Sequence, residues 1–330
     1  YQGTSDKIDL SFNDTKCKII FGKKDVPPIY QIDDIVIKFY NKLTNQEICD
    51  YHFGATAILE GMAHLIENKL FNNSTKHPDI PYRIVELITG EIYPELLHKP
   101  SYLVALCEAS LMHLHPGEFF CTTIKNLKDQ GEMPESLSAF YSHILDGVSF
   151  QSMTVPSKQP LKYLDILNKS KDLAKNGVSD IFQLDIIKPV ATWACNLIDR
   201  ACELRKNDPL LISKVMEMDY DESKKYLISL MDKIGTPLIF NNLEHCVLTN
   251  RHEESNDECI LFRALLEVVK VLTNKKYNSC ALLDFCNSLK EGYHPDSNCS
   301  SAPWKRISYE NICPFCKIWK ILGMDRYNWL

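Results

Sequence analysis

Two groups of residues in this 330-residue chain are of the types that hold metals or move protons. The first comprises Cys280, Cys286, Cys299, Cys313 and Cys316, with His294 among them. Cys313-Pro314-Phe315-Cys316 is its sharpest motif, because two thiolates at C-x-x-C spacing can hold one tetrahedral ion from a tight turn that Pro314 stiffens. Zinc takes four ligands, and Cys299 with either Cys286 or His294 would complete the set. Closed coordination leaves no position for substrate, so the expected site is a structural zinc. Residues 291–316 contain Gly292, Pro295, Pro303 and Pro314 and little apolar periodicity, so they cannot build a core alone. A structural zinc supplies on the order of ten kcal/mol toward ordering such a segment.

The second group is a histidine and carboxylate stripe. The spacing predicts a helix from Phe53 to Glu67, with Ala55, Ile58, Met62, Leu65 and Ile66 on one face and Glu60, His64 and Glu67 on the other. Carboxylate-bridged metal sites need helices that present Glu and His inward. Glu108 and His115, two turns apart, would supply a partner stripe, with His113, Glu118 and His143 close by. The competing reading is an ordinary exposed Glu–His pair on the wet side of the helix. Glu60-x-x-x-His64 departs from the Glu-x-x-His of ferritin-like proteins and from the His-Glu-x-x-His of zinc proteases. His113-Leu114-His115-Pro116-Gly117 reads as a helix terminus, with cationic imidazole on the dipole and Pro-Gly as the stop.

The cysteines admit two further readings. Cys313-Pro314-Phe315-Cys316 resembles the glutaredoxin active-site turn, which would imply a low-pKa first cysteine that attacks disulfides. Most of that family's domain follows its motif, whereas fourteen residues follow Cys316. Alternatively the thiols pack, since Leu282, Phe285, Cys286 and Leu289 form one apolar stripe on a helix ending near Gly292. Thirteen cysteines cannot all pair within the chain. Five Asn-x-Ser/Thr sequons, at Asn13, Asn72, Asn73, Asn168 and Asn298, fall among 21 asparagines, a density chance would give. A chain of this length needs no disulfides for stability, so a reducing, cytoplasmic setting is expected.

The elements that must position these groups are mostly helices. Ile8–Phe12 and Cys17–Phe21 alternate around Asn13-Asp14-Thr15-Lys16 as a β-hairpin would, and Pro27-Pro28 closes it. From Asp33 onward the pattern is helical: Asp33 caps a helix bearing Ile35, Phe39 and Leu43. Pro134 opens a helix with Leu137, Phe140, Tyr141, Ile144 and Leu145 inward. Pro189 opens one carrying Val190, Trp193, Ala194, Leu197, Ile198, Ala201 and Leu204. Asp208-Pro209 starts another, Asp221 caps a third that ends at Gly235, and Leu261, Ala264, Leu265, Val268 and Leu272 mark a fourth. Ser149–Ser157 lacks periodicity and is the expected boundary. The fold expected is therefore mainly α: a β-hairpin over 1–31, a helical bundle over 32–150, and a second over 151–330 with the cysteine-rich segment 280–316.

With 45% hydrophobic and 24% charged residues the chain has the composition of a globular protein. A balance of 37 basic against 43 acidic residues, net −6, offers no overall field for nucleic acid or an anionic membrane. No apolar run is long enough to span a bilayer, and Tyr1–Asp6 lacks the shape of a signal peptide. Twelve glycines include neither Gly-x-Gly-x-x-Gly nor a P-loop, which removes nucleotide binding by those loops. Gly-x-Ser-x-Gly, kinase and calcium-loop signatures are missing too. Trp304, Trp319, Tyr327 and Trp329 cluster near the cysteines, as interface anchors or as packing for a metal-bound tail. The expected function is an intracellular helical interaction or scaffold protein, a subunit of a larger complex, with a structural zinc and a protein partner. The rival is a metal-dependent enzyme using iron or manganese at Glu60, His64, Glu67, Glu108 and His115.

Overall fold

The computed structural model describes residues 15–26, 30–71, 77–113, 115–131, 133–146, 163–183, 185–235, 238–240, 246–248, 256–273, 279–288 and 294–327. It is mainly α, with a small antiparallel sheet at its N-terminal end. Strands β1 (Thr15–Val26), β2 (Tyr30–Asn41) and β3 (Glu47–Phe53) run antiparallel in the order β1-β2-β3. The sheet thus reaches Phe53 and corrects two expectations. Thr15 and Lys16 are not in a turn but open β1, opposite Asn41 and Tyr40. Asp33 caps no helix: Ile35, Ile37 and Phe39 alternate inward along β2, and Leu43 lies exposed in the turn beyond. Ile35 faces Phe53 and Ile37 faces Tyr51 across the ladder, and these cross-strand pairs are what the period-two run of β-branched residues favours over a helix. The Ile8–Phe12 strand and the expected boundary at residue 150 lie outside the described residues.

The helices follow as α1 (Ala55–Phe71), α2 (Asp79–Tyr82), α3 (Ile84–Ile92), α4 (Pro100–Ser110), α5 (Pro116–Gln130), α6 (Leu137–Asp146), α7 (Tyr163–Ile181), α8 (Lys188–Asn207) and α9 (Tyr220–Ile234). A short antiparallel pair, β4 (Leu238–Phe240) and β5 (Cys246–Leu248), precedes α10 (Asn256–Thr273), α11 (Leu283–Ser288) and α12 (Pro314–Ile321). Among the described residues no helix is long and apolar enough to cross a membrane.

The chain divides into two compact units. One holds the chain up to Lys171 together with Cys202–Tyr226; the other holds Asp172–Ala201 and the chain from Leu227 on. In the first unit every residue of α4 from Tyr102 to Ser110 is buried, so this helix is the axis of the core. All five core residues expected of α6 are buried. Its start differs from the expectation, because Pro134 lies ahead of the first turn and Ser136 caps the helix: Ser136 Oγ accepts from the Ala139 amide at 3.1 Å. Asp208-Pro209 starts no α-helix; a turn leads to a 3₁₀ segment at Ser213–Glu217. Helix α9 is capped by Asp219, not Asp221. Asp219 Oδ1 accepts from the Glu222 amide at 2.8 Å, while Glu222 Oε2 accepts from the Asp219 amide at 3.3 Å, a reciprocal capping box. The second unit's core gathers Ala264 and Val268 of α10 with Cys280, Leu282, Cys286, Cys313, Phe315, Cys316, Ile318 and Trp319.

Candidate metal centre

Helix α1 forms where the spacing predicts a helix, but it is turned differently. Its buried residues are Ala57, Ile58, Gly61, His64 and Leu65. Gly61 is small enough for α3 to lie against it: a Cβ there would stand 2.5 Å from Val85 Cγ2. That close approach carries His64 inward, to 6% exposure, so His64 is not on the wet face that the spacing predicts for it.

His64, Glu67 and His77 bring one ligand atom each to within 4.8 Å of one another, the one such group of three or more among the described residues. His64 and Glu67 share a face of α1 at i, i+3. His77 enters from the segment leading to α2, with His77 Nε2 2.8 Å from Glu67 Oε2. Its ring stacks on Tyr82, centroids 4.4 Å apart at 22°, and meets His64 edge-on at 5.6 Å. His64 Nε2 lies 2.9 Å from Asn68 Nδ2, whereas its buried Nδ1 has no hydrogen-bond partner. Burial, then the nearby His77 and Arg83, lower the His64 pKa, so the ring is neutral. Arg83 also borders a groove of about 390 Å³, lined with Lys16, Lys42, Leu65, Glu86 and Glu91 among others, which opens beside this part of α1.

The other carboxylates and histidines expected here go elsewhere. Glu60 is half-buried one turn before His64 and is not among the three. Glu108 is buried on α4 as a structural acceptor: Arg205 Nη1 donates to it at 2.6 Å, the Ser213 amide and hydroxyl each at 3.0 Å, and the Ile212 amide at 3.1 Å. Those donors occupy both oxygens, which corrects its reading as a metal ligand. His115 stands at the N-cap of α5, so Pro116-Gly117 open a helix rather than stop one. His113 is not a cation on a helix end either; its ring stacks on Phe119 and burial pushes its pKa down to about 3. Glu118 lies in the first turn of α5, and His143, exposed on α6, meets Gln130 at 2.7 Å.

In the second unit the five cysteines between 280 and 316 are all buried. Cys280, Cys286, Cys299 and Cys313 line one cavity of about 10 Å³. Cys313 stands at the N-cap of α12, where the neighbouring Cys316 thiol, the amides of the first turn and Arg306 bring its pKa down to about 6. Cys316 is shifted the other way by Cys313 and by burial, and its Sγ donates to the Pro303 carbonyl at 3.2 Å. His294 is exposed, and its carbonyl rather than its ring is engaged, accepting from Arg306 Nη2 at 2.6 Å. Trp304 and Trp319 stack at 5.9 Å beside the cluster, which favours packing over an exposed anchor for that pair.

His77 is the site residue that sequence reasoning missed. Periodicity does not reach it, since ten residues and a helix end separate it from Glu67; the signal available was an imidazole just ahead of Pro78-Asp79, at the turn back toward α1. No family model, curated protein or solved structure matches the chain.

Proposed function

We propose that this chain is a metal-dependent protein whose first unit binds one divalent transition ion through His64, Glu67 and His77. The observation that carries this reading is a buried imidazole nitrogen without a hydrogen-bond partner, His64 Nδ1, in a side chain that shares a 4.8 Å cluster with a second histidine and a carboxylate. Leaving such an atom unsatisfied costs about 1–3 kcal/mol, which ligation of the ring would offset. Two imidazoles and one carboxylate suit zinc, ferrous iron or a similar borderline ion, and three protein ligands leave positions for water or substrate. The chemistry such an ion supplies when bound is Lewis-acid activation of water or of a carbonyl or phosphoryl oxygen. Of the chain's own groups, Tyr82 fixes the His77 ring by stacking, Asn68 holds the His64 ring, and Arg83 brings positive charge to the adjoining groove. This reading favours the metal-dependent alternative, with His77 in place of Glu60, Glu108 and His115, over a scaffold acting through helical surfaces alone.

Isothermal titration of the full chain with zinc or cobalt(II) tests it. One equivalent of the binding isotherm is expected to depend on these three residues, and His64→Ala, Glu67→Ala or His77→Ala each to weaken that equivalent by more than about 100-fold, beyond what loss of a group that merely supports a ligand costs. Unchanged affinity in all three variants would refute the assignment.

A further inference from the structure

The second unit holds a charge arrangement that the first site does not explain. Arg306 is 4% exposed, and its Nη1 stands 3.1 Å from the Cys299 sulfur. The nearest carboxylate, Asp296, is 3.6 Å from Arg306 Nε and partly open to solvent. A guanidinium buried this deeply needs a close counter-charge, and this carboxylate, partly open to water, supplies only part of it. Thiolates gathered on a divalent ion supply one: four thiolates and one such ion carry a net charge of minus two.

The surroundings also choose among the five sulfurs. Cys286, Cys299 and Cys313 line the same small cavity as Arg306, and Cys316 is buried in the first turn of α12, three positions after Cys313. Cys280 lines it too, but it faces the Glu267 carboxylate, which opposes a second negative charge there. His294 is exposed and presents its carbonyl to Arg306. The cavity, about 10 Å³, has room for one ion or one water.

We propose that Cys286, Cys299, Cys313 and Cys316 bind one zinc-class divalent ion as thiolates, with Arg306 as the buried counter-charge. No three of these sulfurs gather within the 4.8 Å of the first site's ligands, so binding draws them together. Each cysteine that enters as a thiol releases its proton to solvent, and no electron is transferred. Four protein ligands close the shell, so this second ion is structural: it ties α11, the 3₁₀ turn at Ser297–Ser300 and α12 together.

Cobalt(II) titration of the full chain under reductant distinguishes this site from the one in the first unit, because thiolate ligation gives an intense near-ultraviolet sulfur-to-cobalt band and imidazole-carboxylate ligation does not. The expected result is a band that saturates at one equivalent, persists in His64→Ala/His77→Ala and disappears in Cys313→Ser/Cys316→Ser. Should that double variant fail to fold, Cys286→Ser is expected to halve the band or remove it while circular dichroism stays helical. No sulfur-to-cobalt band in the wild-type chain, or a band that survives both cysteine variants, would overturn the proposal. So would a Cys313–Cys316 disulfide that mass spectrometry finds intact under the same reductant.

Discussion

At the scale of single residues, the buried histidines determine how the molecule responds to acid. His113 lies against Phe119 with ring centroids 4.0 Å apart, and its pKa drops from 6.5 to about 3 because burial penalises the imidazolium. Unfolding restores the ordinary value. Between those two pH values the unfolded chain takes up a proton that the folded chain refuses, so stability declines as the pH falls below 6.5 and the loss is complete near 3. Above 6.5 the contribution is whole. Replacing His113 with Phe should flatten the acid limb, as read from urea midpoints measured at several pH values across that window. His64 shifts in the same direction, so the limb flattens without vanishing. An unchanged slope in His113→Phe would show that the ring is already solvated in the native chain.

Among elements, two contacts hold the first unit's core in register. Glu108 joins α4 to the last turn of α8 and the segment after it, taking Arg205, the Ile212 and Ser213 amides and the Ser213 hydroxyl. Breaking a buried pair from one side strands the other charge, at about 3–5 kcal/mol. Glu108→Ala is therefore expected to lower stability by that much, read from the denaturant midpoint, whereas Glu60→Ala, with no such donors, should leave it nearly unchanged. The second contact is a close approach of backbone to backbone. A Cβ on Gly117, at the start of α5, would sit 2.3 Å from the Phe53 carbonyl oxygen at the end of β3. Neither partner is a flexible side-chain tip, so one element must move, and Gly117→Ala should destabilise by ~1–3 kcal/mol. A contrasting position is Gly131, which ends α5 at φ 71° and where an added methyl would meet nothing within 4 Å. There Ala carries only the left-handed backbone cost, ~1–2 kcal/mol.

On the scale of the whole molecule, a bound ion couples to stability by mass action. At a free concentration about 100 times its dissociation constant, zinc at the proposed first site would add about 2.7 kcal/mol to the state that holds it. The gain should be local before it is global, because the ligands come from α1 and the segment entering α2. Hydrogen exchange read by mass spectrometry is expected to slow over peptides covering 55–71 and 77–92 when zinc is added, and not in His64→Ala/His77→Ala. Equal slowing in that variant would place the ion elsewhere in the chain.

By itself the sequence determined the class of fold and the buried face of α6. The 3.6-residue recurrence of Leu137, Phe140, Tyr141, Ile144 and Leu145 is a property of one helix and one core face, and all five are buried as expected. Local chemistry likewise showed that the cysteines from 280 to 316 belong together. What tertiary structure decided was which face of α1 goes inward and which distant residue meets it. Large apolar side chains are the sequence's mark of a buried face, but Gly61 admits α3 because it is small, and His64 is carried in with it. The Ile35-to-Phe39 run satisfied a strand and a helix at once, and only pairing with Tyr51 and Phe53 selected the strand. Glu108 and His77 changed roles for the same reason. A carboxylate's partners and a histidine's neighbours across a turn are long-range facts: Arg205 and Ser213 stand about a hundred positions from Glu108, and no local periodicity records them.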